Sequence, residues 1–380
     1  MGVWDQRARE APRDPNGAVT QTDTIAATTD SVPAPRISRR STGTVTLDDV
    51  ATHAGVSPQT VSRSLRSPEL VSAATLERVL SSIEATGYVL NRAASNLASN
   101  RSKTVAAVIP AISASVFAAS LHGLEEVLSD AGYHLFIGST DYDPAHEDEI
   151  VAALIGRRPD GFFIVGTNHS QRTRAMLAAA NIPVVEAWDL SADPIDSVVG
   201  FSNRAAIRSL VEFVHTRGYR HPTFAGSLRT GDFRAVERRA SFESSVAELF
   251  PGEPIRVLDS GVPKIDYSTG ARLFHETLER HPETDVLMFA SDVFAAGAIL
   301  EAQKHGIDVP GRLAITGFGD FDIAPHLSPP LTTVAVPSRA IGTHAGELLL
   351  ERMMPSTRSS TSSPGRVVDV GFTIIERASA

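Results

Sequence analysis

Short apolar runs alternate with amphipathic helical stretches through most of this 380-residue chain, and this alternation limits the possible folds more than any other feature. The runs begin with Thr104–Ile109 and end with Leu313–Thr316, and the last helical stretch between them is Val293–His305. Strand alternating with helix predicts parallel sheets built from βαβ units. About 270 residues hold too many such units for one sheet. We therefore expect an α/β region of two doubly wound parallel-sheet subdomains, with a ligand between them at the carboxyl ends of the strands.

Three short helices are predicted ahead of the first strand. The first spans Leu47–Ala54, where apolar residues recur at helical spacing and Gly55 follows. Ser57 is expected to cap the second helix, with Pro58 at its first position, and Ser72 to open the third. The inward face of the third helix is expected to carry Leu76, Val79, Leu80 and Ile83. This order of helix, glycine turn, helix and supporting helix predicts an all-α helix-turn-helix headpiece that binds DNA.

The second of these helices presents side chains suited to reading DNA. Gln59 could bond bidentately to adenine, and Arg63 could do the same to guanine. Phosphate contacts are expected from hydroxyl side chains at Ser57, Thr60, Ser62, Ser72 and Thr75. An ordinary helical hairpin is the alternative, but it does not require the cap, the turn and the readout residues to coincide.

Composition and missing motifs exclude other classes of protein. The chain has no cysteine, which rules out disulfides and thiolate zinc sites and fits a cytoplasmic location. No run of 18 apolar residues could cross a membrane, and Met1–Glu10 lacks the apolar core of an export signal. The motifs GxxxxGKS/T, GxSxG, HExxH and GxGxxG are missing, and the 12 histidines look scattered. We therefore expect that the protein is not an enzyme and that it has neither a metal site nor a cofactor. Residues 1–103 carry a net charge of +2 and the remainder −11, which weakly indicates an anionic partner for the N-terminal end.

The run Thr46–Arg63 (TLDDVATHAGVSPQTVSR) and the sequence up to Lys103 resemble the headpiece of the lactose-repressor/galactose-repressor family of bacterial transcription regulators. Residues 88–98 (YVLNRAASNLA) resemble the hinge helix of that family, and the following α/β region resembles its periplasmic-binding-protein-like sensor. The resemblance implies a homodimer on a pseudo-palindromic DNA operator, with a small-molecule effector bound between two sensor lobes. It also implies DNA contacts from Thr46, Leu47, Pro58, Tyr88, Asn91, Ala94, Leu97 and Ala98.

The composition of the hinge segment determines whether it can form a helix alone. A short segment with a single large apolar residue, Leu97, cannot hold a helix alone. The family implies that it folds against its dimer mate in the minor groove, where the two Leu97 side chains form a wedge that bends the duplex. A plain flexible linker is the alternative.

These features divide the chain into five parts. Residues 1–43 are predicted to be a disordered tail, although the arginines near their end could instead form a basic arm for DNA. The headpiece is expected at 44–88 and the hinge helix or linker at 89–103. The predicted sensor comprises one subdomain from 104–200 plus 337–368 and another from 201–336 plus 369–376.

Sensor runs such as 182–189 (IPVVEAWD) and 199–203 (VGFSN) resemble the gluconate-repressor subgroup, which implies a sugar acid as effector. Arg238 lies where the family places a ligand-binding arginine and could pair with a carboxylate, although a surface helix charge is the alternative. A neutral sugar, a purine or a nucleoside are the other effectors that we keep open. A soluble sugar-binding protein or an enzyme on the same fold is less expected.

Other effector contacts are weaker predictions. Phe117 and Trp188 could stack on a sugar or belong to the core, and Ser291 stands where the family usually has asparagine. Asp292 could contact the ligand or cap the helix that follows it. Asp320 is shifted by one residue from a usual family aspartate, which leaves a glycine in the place where a carboxylate would repel an acidic ligand.

Overall fold

The computed structural model describes residues 45–89, 101–227, 232–261, 265–354 and 365–380. The chain forms two compact units, residues 1–90 and 91–380. The predicted tail and the hinge residues Asn91, Ala94, Leu97 and Ala98 lie outside the described residues. Among the described residues, no helix is both long and apolar enough to span a bilayer.

The first unit contains the three predicted helices, α1 (Leu47–Ala54), α2 (Pro58–Arg66) and α3 (Ala73–Thr86). The Thr46 hydroxyl accepts a hydrogen bond from the Asp49 amide, and the Asp49 carboxylate accepts one from the Thr46 amide, so a capping box starts α1. Gly55 ends α1 at φ 62°, the left-handed region in which glycine carries no steric penalty. The helix-turn-helix prediction is confirmed.

The core of this unit is small. Its composition shows that one sequence prediction was wrong. Its buried apolar residues are Val50, Ala51, Ala54, Val61, Val79 and Tyr88. Leu80, predicted to face inward, is 51% exposed. The inward stripe of α3 follows Val79 and the partly buried Ile83 at a spacing of four residues, and Leu80 falls one position outside it.

The second unit is built on two sheets, as predicted, and each sheet has six strands among the described residues. The sheet of the first lobe has the order β11-β5-β4-β3-β1-β2 with every pair parallel. Its strands are β1 (Thr104–Ile109), β2 (His134–Ser139), β3 (Gly161–Val165), β4 (Val184–Ala187), β5 (Ser197–Gly200) and β11 (Val367–Asp369). Its helices are α4 (Ser115–Asp130), α5 (Pro144–Ile155), α6 (Gln171–Ala180) and α11 (Ser338–Met353).

The sheet of the second lobe has the order β12-β10-β9-β8-β6-β7, and only its edge strand β12 runs antiparallel. Its strands are β6 (Pro222–Gly226), β7 (Arg256–Asp259), β8 (Val286–Phe289), β9 (Ala314–Gly319), β10 (Thr332–Ala335) and β12 (Thr373–Ile375). Its helices are α7 (Asn203–Thr216), α8 (Phe233–Leu249), α9 (Tyr267–Arg280) and α10 (Asp292–Lys304).

Helices cover both faces of each sheet, which explains why central strands such as β3 (GFFIV) are apolar at every position and fully buried. The chain passes between the lobes three times, after β5, after β10 and after β11. Every βα loop at the carboxyl end of a parallel sheet emerges on the same side. The two lobes therefore gather their polar loops at a shared edge.

Candidate functional sites

The exposed face of α2 carries the predicted readout residues. Gln59 and Arg63 are both exposed and lie four residues apart, so they share one side of the helix. The opposite side packs inward through Val61 and Ser64. Nothing in the first turn of α2 is acidic, while Arg63 and Arg66 add positive charge in its last turn. This face can therefore approach a polyanion and donate hydrogen bonds to it.

Hydroxyls at the helix starts are already engaged by their own helices. Ser57 accepts a hydrogen bond from the amide of Thr60 at 3.2 Å, and the two hydroxyls lie 2.9 Å apart. Ser72 and Thr75 repeat the arrangement at the start of α3, at 3.4 and 2.9 Å. These hydroxyls remain at the surface, beside the amides that a helix N-terminus offers to a phosphate.

The remaining headpiece candidates have different surroundings. Thr46 and Pro58 are exposed, whereas Leu47 and Ser62 are half-buried. Tyr88 is only 9% exposed, because its ring packs in the small core of the unit. The Tyr88 side chain thus presents little of its surface to solvent.

A cavity of about 420 Å³ lies between the two lobes of the second unit. Part of its wall comes from residues in the loops after strands: Tyr142 after β2, Trp188 after β4, Ser227 after β6 and Ser291 after β8. The volume is within the range of roughly 300–1,000 Å³ that is usual for small-molecule sites. Position and size together make this cavity the candidate ligand site.

One wall of the cavity is aromatic. The rings of Phe117 and Trp188 meet edge to face with centroids 5.0 Å apart, and the Trp188 indole N–H donates to Ser120 at 3.1 Å. Phe318 and Phe321 line the cavity from the second lobe. The core interpretation of Phe117 and Trp188 is confirmed, since both residues are buried. Both also line the cavity, and their stacking on a sugar stays a prediction.

Two arginines on α8 carry the positive charge of the cavity. Arg238 donates to the side-chain amide oxygen Oδ1 of Asn203 at 2.8 Å, lies 3.8 Å from Asp232, and stacks over the Phe318 ring. Arg234 lies 3.5 Å from the same Asp232 carboxylate and over the ring of Phe117. Both side chains are about nine-tenths buried. Among the described residues, Arg238 Nε and Arg234 Nη1 have no hydrogen-bond partner.

The pKa shifts around the arginines agree with a dry site. Burial lowers the pKa of Arg238 and raises the pKa of Tyr142 and of Asp189. The Asp189 carboxylate accepts from the Leu190 amide at 2.9 Å and from the Asn203 side chain at 3.4 Å. This part of the cavity wall thus holds two buried guanidinium groups together with two carboxylates, those of Asp232 and Asp189.

The last three effector candidates separate into one that lines the cavity and two that do not. Ser291 lines it and also caps α10 by accepting from the Val293 amide, so the cap expected from Asp292 is supplied by Ser291. The buried Asp292 carboxylate accepts from the Thr333 hydroxyl at 2.6 Å and from the Phe321 amide at 2.7 Å. Asp320 pairs with Arg377 at 2.8 Å. The carboxylates of Asp292 and Asp320 thus support the loop after β9.

Sequence reasoning missed several cavity residues, among them Tyr142, Asn203, Asp232 and Arg234. Each directly precedes or begins a helix after a strand, or lies in a loop at the carboxyl edge. Their position in the loops and helix starts that follow strands was the sequence signal that could have identified these residues. Arg234 could also have been found because it lies four residues before Arg238 on the same helix, and residues at this spacing share a face.

Two family models match the chain. The model for bacterial regulatory proteins of the lacI family matches residues 46–91, and the model for the periplasmic binding protein-like domain matches residues 211–380. The transcriptional regulator GntR of Escherichia coli strain K12 is 32% identical over 330 residues, which is 86% of this chain and 96% of that protein.

Solved structures give the same result. A transcriptional regulator of the LacI family from Silicibacter pomeroyi has a TM-score of 0.80 at 35% identity, covering 88% of this chain and 99% of that one. The lac repressor dimer bound to operator and the anti-inducer ONPF has a TM-score of 0.72 at 22% identity over 88% of this chain and 99% of that one, a likeness of fold. The chain belongs to the lacI family of bacterial regulatory proteins, and it is a DNA-binding transcriptional repressor with an effector-binding sensor.

Proposed function

We propose that this repressor responds to a sugar acid of the gluconate type, whose carboxylate binds between the lobes at Arg238 and Arg234. The observation that carries the proposal is the pair of buried guanidinium groups, each with a nitrogen that lacks a hydrogen-bond partner among the described residues. A carboxylate accepts charge-assisted, often bidentate, hydrogen bonds from arginine. The identity to GntR supports a gluconate-type effector at the level of the subgroup.

The shape of the cavity fits the rest of such a ligand. Phe117, Trp188 and Phe318 offer apolar surface to the carbon chain, and Asn203, Ser227 and Ser291 offer polar atoms. A neutral sugar is the second candidate, because the same aromatic wall could stack on a sugar ring without using a charge. The two candidates differ in how far binding depends on the arginines.

Replacement of Arg238 by methionine separates these candidates. Methionine keeps an apolar stem of similar length and removes the charge. We expect the dissociation constant for gluconate, measured by calorimetry, to rise roughly ten- to hundredfold, since a hydrogen bond to a charged group contributes about 1.5–3 kcal/mol. Arg239→Met is the matched control, because Arg239 is the neighbouring arginine, half-exposed and paired with Glu243. Tight binding of glucose but not gluconate by the wild type would instead identify a neutral effector.

On the DNA side, we propose that a homodimer places one α2 in each major groove of a pseudo-palindromic operator. Gln59 and Arg63 would discriminate bases, while Thr46, Ser57, Thr60, Ser62, Ser72 and Thr75 would fix the position on phosphates. Leu47 and Pro58 would contribute apolar contacts, with Tyr88 behind them. The hinge residues Asn91, Ala94, Leu97 and Ala98 would enter the minor groove, with Leu97 as the wedge.

Substitution of Arg63 tests the assignment of α2. An operator obtained by selection from a random pool should lose about 1–3 kcal/mol of binding free energy in Arg63→Ala, while binding to bulk DNA changes little. Arg78→Ala, an exposed arginine on α3, serves as the control. An equal loss on operator and bulk DNA in Arg63→Ala would show that α2 does not read the sequence.

The proposed effector releases the operator by binding more tightly to the sensor conformation that does not hold DNA. Ligand binding can shift this equilibrium only by its difference in affinity for the two conformations. A difference of a few kcal/mol is enough, which is within reach of one arginine–carboxylate pair.

A further inference from the structure

A cluster of two histidines and a glutamate lies on the second lobe, among residues that do not line the ligand cavity. His275 is on α9, and Glu301 and His305 are on α10. The Nε2 atoms of His275 and His305 lie 3.0 and 3.1 Å from the same oxygen of Glu301, Oε1. The sequence shows only half of this arrangement, the spacing of four residues between Glu301 and His305.

The geometry of the cluster matches the needs of a metal ion. A tetrahedral ion with bonds of about 2.0–2.2 Å to nitrogen and oxygen holds its ligand atoms about 3.4 Å apart. The separations between Glu301 Oε1 and the two imidazole nitrogens are a few tenths of an ångström shorter. All three candidate ligand atoms lie within 4.8 Å of one another. Small side-chain rotations would therefore open the space that an ion occupies.

The scaffold that holds the three side chains is rigid. Helices α9 and α10 touch backbone to backbone, since a β-carbon on Gly270 would overlap the Phe294 carbonyl and one on Gly297 would overlap the Tyr267 carbonyl. Glu301 is 14% exposed, whereas the imidazole rings are about half-exposed. An ion could thus enter from solvent without any movement of the backbone.

We propose that His275, Glu301 and His305 form a binding site for a divalent transition-metal ion, for which Zn²⁺ is the probe. Two imidazoles and one carboxylate are donors that suit Zn²⁺, while Ca²⁺ and Mg²⁺ require oxygen ligands. Three protein ligands leave a coordination position for water. The bound ion would clamp α9 to α10, whose first turn contributes to the wall of the effector cavity.

One neighbour opposes the ion. The Lys304 ammonium lies 2.7 Å from the second oxygen of Glu301, Oε2. Its positive charge would repel a cation, and it occupies the oxygen that a bidentate carboxylate would use. Removal of this lysine should therefore strengthen metal binding, whereas a variant that merely disturbs the helices would weaken it.

The test uses the full-length chain without a histidine tag and titrates Zn²⁺ alone against a competing chelator. We expect one equivalent to bind to the wild type, at least about tenfold weaker binding in His275→Ala, His305→Ala and Glu301→Gln, and tighter binding in Lys304→Ala. His221→Ala is the matched control, because His221 makes a similar half-exposed contact to a single glutamate, Glu253, at 2.9 Å.

Thermal unfolding with and without Zn²⁺ gives an independent readout. Zn²⁺ should raise the Tm of the wild type and of His221→Ala but not that of His305→Ala. Circular dichroism without metal checks that each variant is folded. The proposal is overturned if the wild type binds no stoichiometric Zn²⁺, or if His275→Ala and His305→Ala bind it as the wild type does. Because DNA and sugar-acid binding are measured without added metal, failure here leaves the proposed function intact.

Discussion

Arg234 and Arg238 are buried charged residues, which a stable interior normally avoids. Among the described residues, both guanidinium groups form ion pairs with one carboxylate, that of Asp232, and the buried Asp189 carboxylate also acts on them electrostatically. Their stacking over Phe117 and Phe318 compensates part of the lost hydration. The pair still costs stability, and an anionic ligand of the kind we propose would offset part of that cost.

The buried aspartate Asp292 should make the stability of the protein depend on pH. Burial raises the pKa of Asp292 to about 7, against an ordinary value of 3.8. The contribution of this group to the free energy of unfolding is therefore full below about pH 4 and is lost as the pH rises to about 7, because in this range the unfolded chain releases the proton while the folded protein retains it. We expect Asp292→Asn to flatten the fall in Tm between about pH 4 and pH 7.

The control for this prediction is Asp322→Asn, since Asp322 is an exposed aspartate in the loop after β9, next to Phe321, whose amide donates to Asp292. It should keep the pH profile of the wild type. Identical slopes for the wild type and Asp292→Asn would show that Asp292 is already ionised across this range.

At the scale of elements, the contact between α9 and α10 depends on glycine. Because a β-carbon at Gly297 would overlap the Tyr267 carbonyl, alanine there must push the two helices apart. We expect Gly297→Ala to cost about 1–3 kcal/mol in the free energy of unfolding, measured with denaturant. Gly156→Ala is the matched control, since a β-carbon there meets neighbours no closer than 3.4 Å. A loss in Gly156→Ala as large as in Gly297→Ala would mean that close packing is not the cause.

Elements with strong local signals were predictable from the sequence. Helix α1 and strand β1 have the predicted bounds, because a cap or a continuous apolar run marks them. Other elements were not predicted from the sequence. Strand β7 (RVLD) is short and half polar, and α11 contains two glycines that pack closely against α4 and dilute its helical pattern. Strands β11 and β12 have only three residues each, so no local pattern marks them, and they form by pairing with strands already present in the two sheets.

The cavity was predictable in its location and only partly in its residues. Arg238, Phe117, Trp188 and Ser291 line it, but Asp292 points to other partners. Position in a βα loop predicts that a side chain is near the site, whereas its direction depends on tertiary contacts that one sequence does not reveal. The histidine–glutamate cluster was missed for a related reason, since His275 joins it from a second helix.

At the scale of the whole molecule, the proposed control of DNA binding must be reciprocal. If gluconate weakens operator binding by some factor, the operator must weaken gluconate binding by the same factor, typically about 5- to 150-fold. Calorimetric titration of gluconate, with and without saturating operator, measures this factor directly. Equal affinities in both titrations would mean that the sensor and the headpiece are not coupled through this ligand.

The last crossing of the chain between the lobes, after β11, also determines when each sheet is completed during synthesis. Strand β11 completes one sheet and β12 completes the other, and only a few residues separate them near the end of the sequence. Ser379, further on still, donates to the Ile315 carbonyl and accepts from the Thr332 amide. A nascent chain on the ribosome therefore completes the strands of the first lobe only a few residues before those of the second. A premature stop codon just before β11 would leave both sheets without an edge strand, whereas one between β11 and β12 would remove only β12.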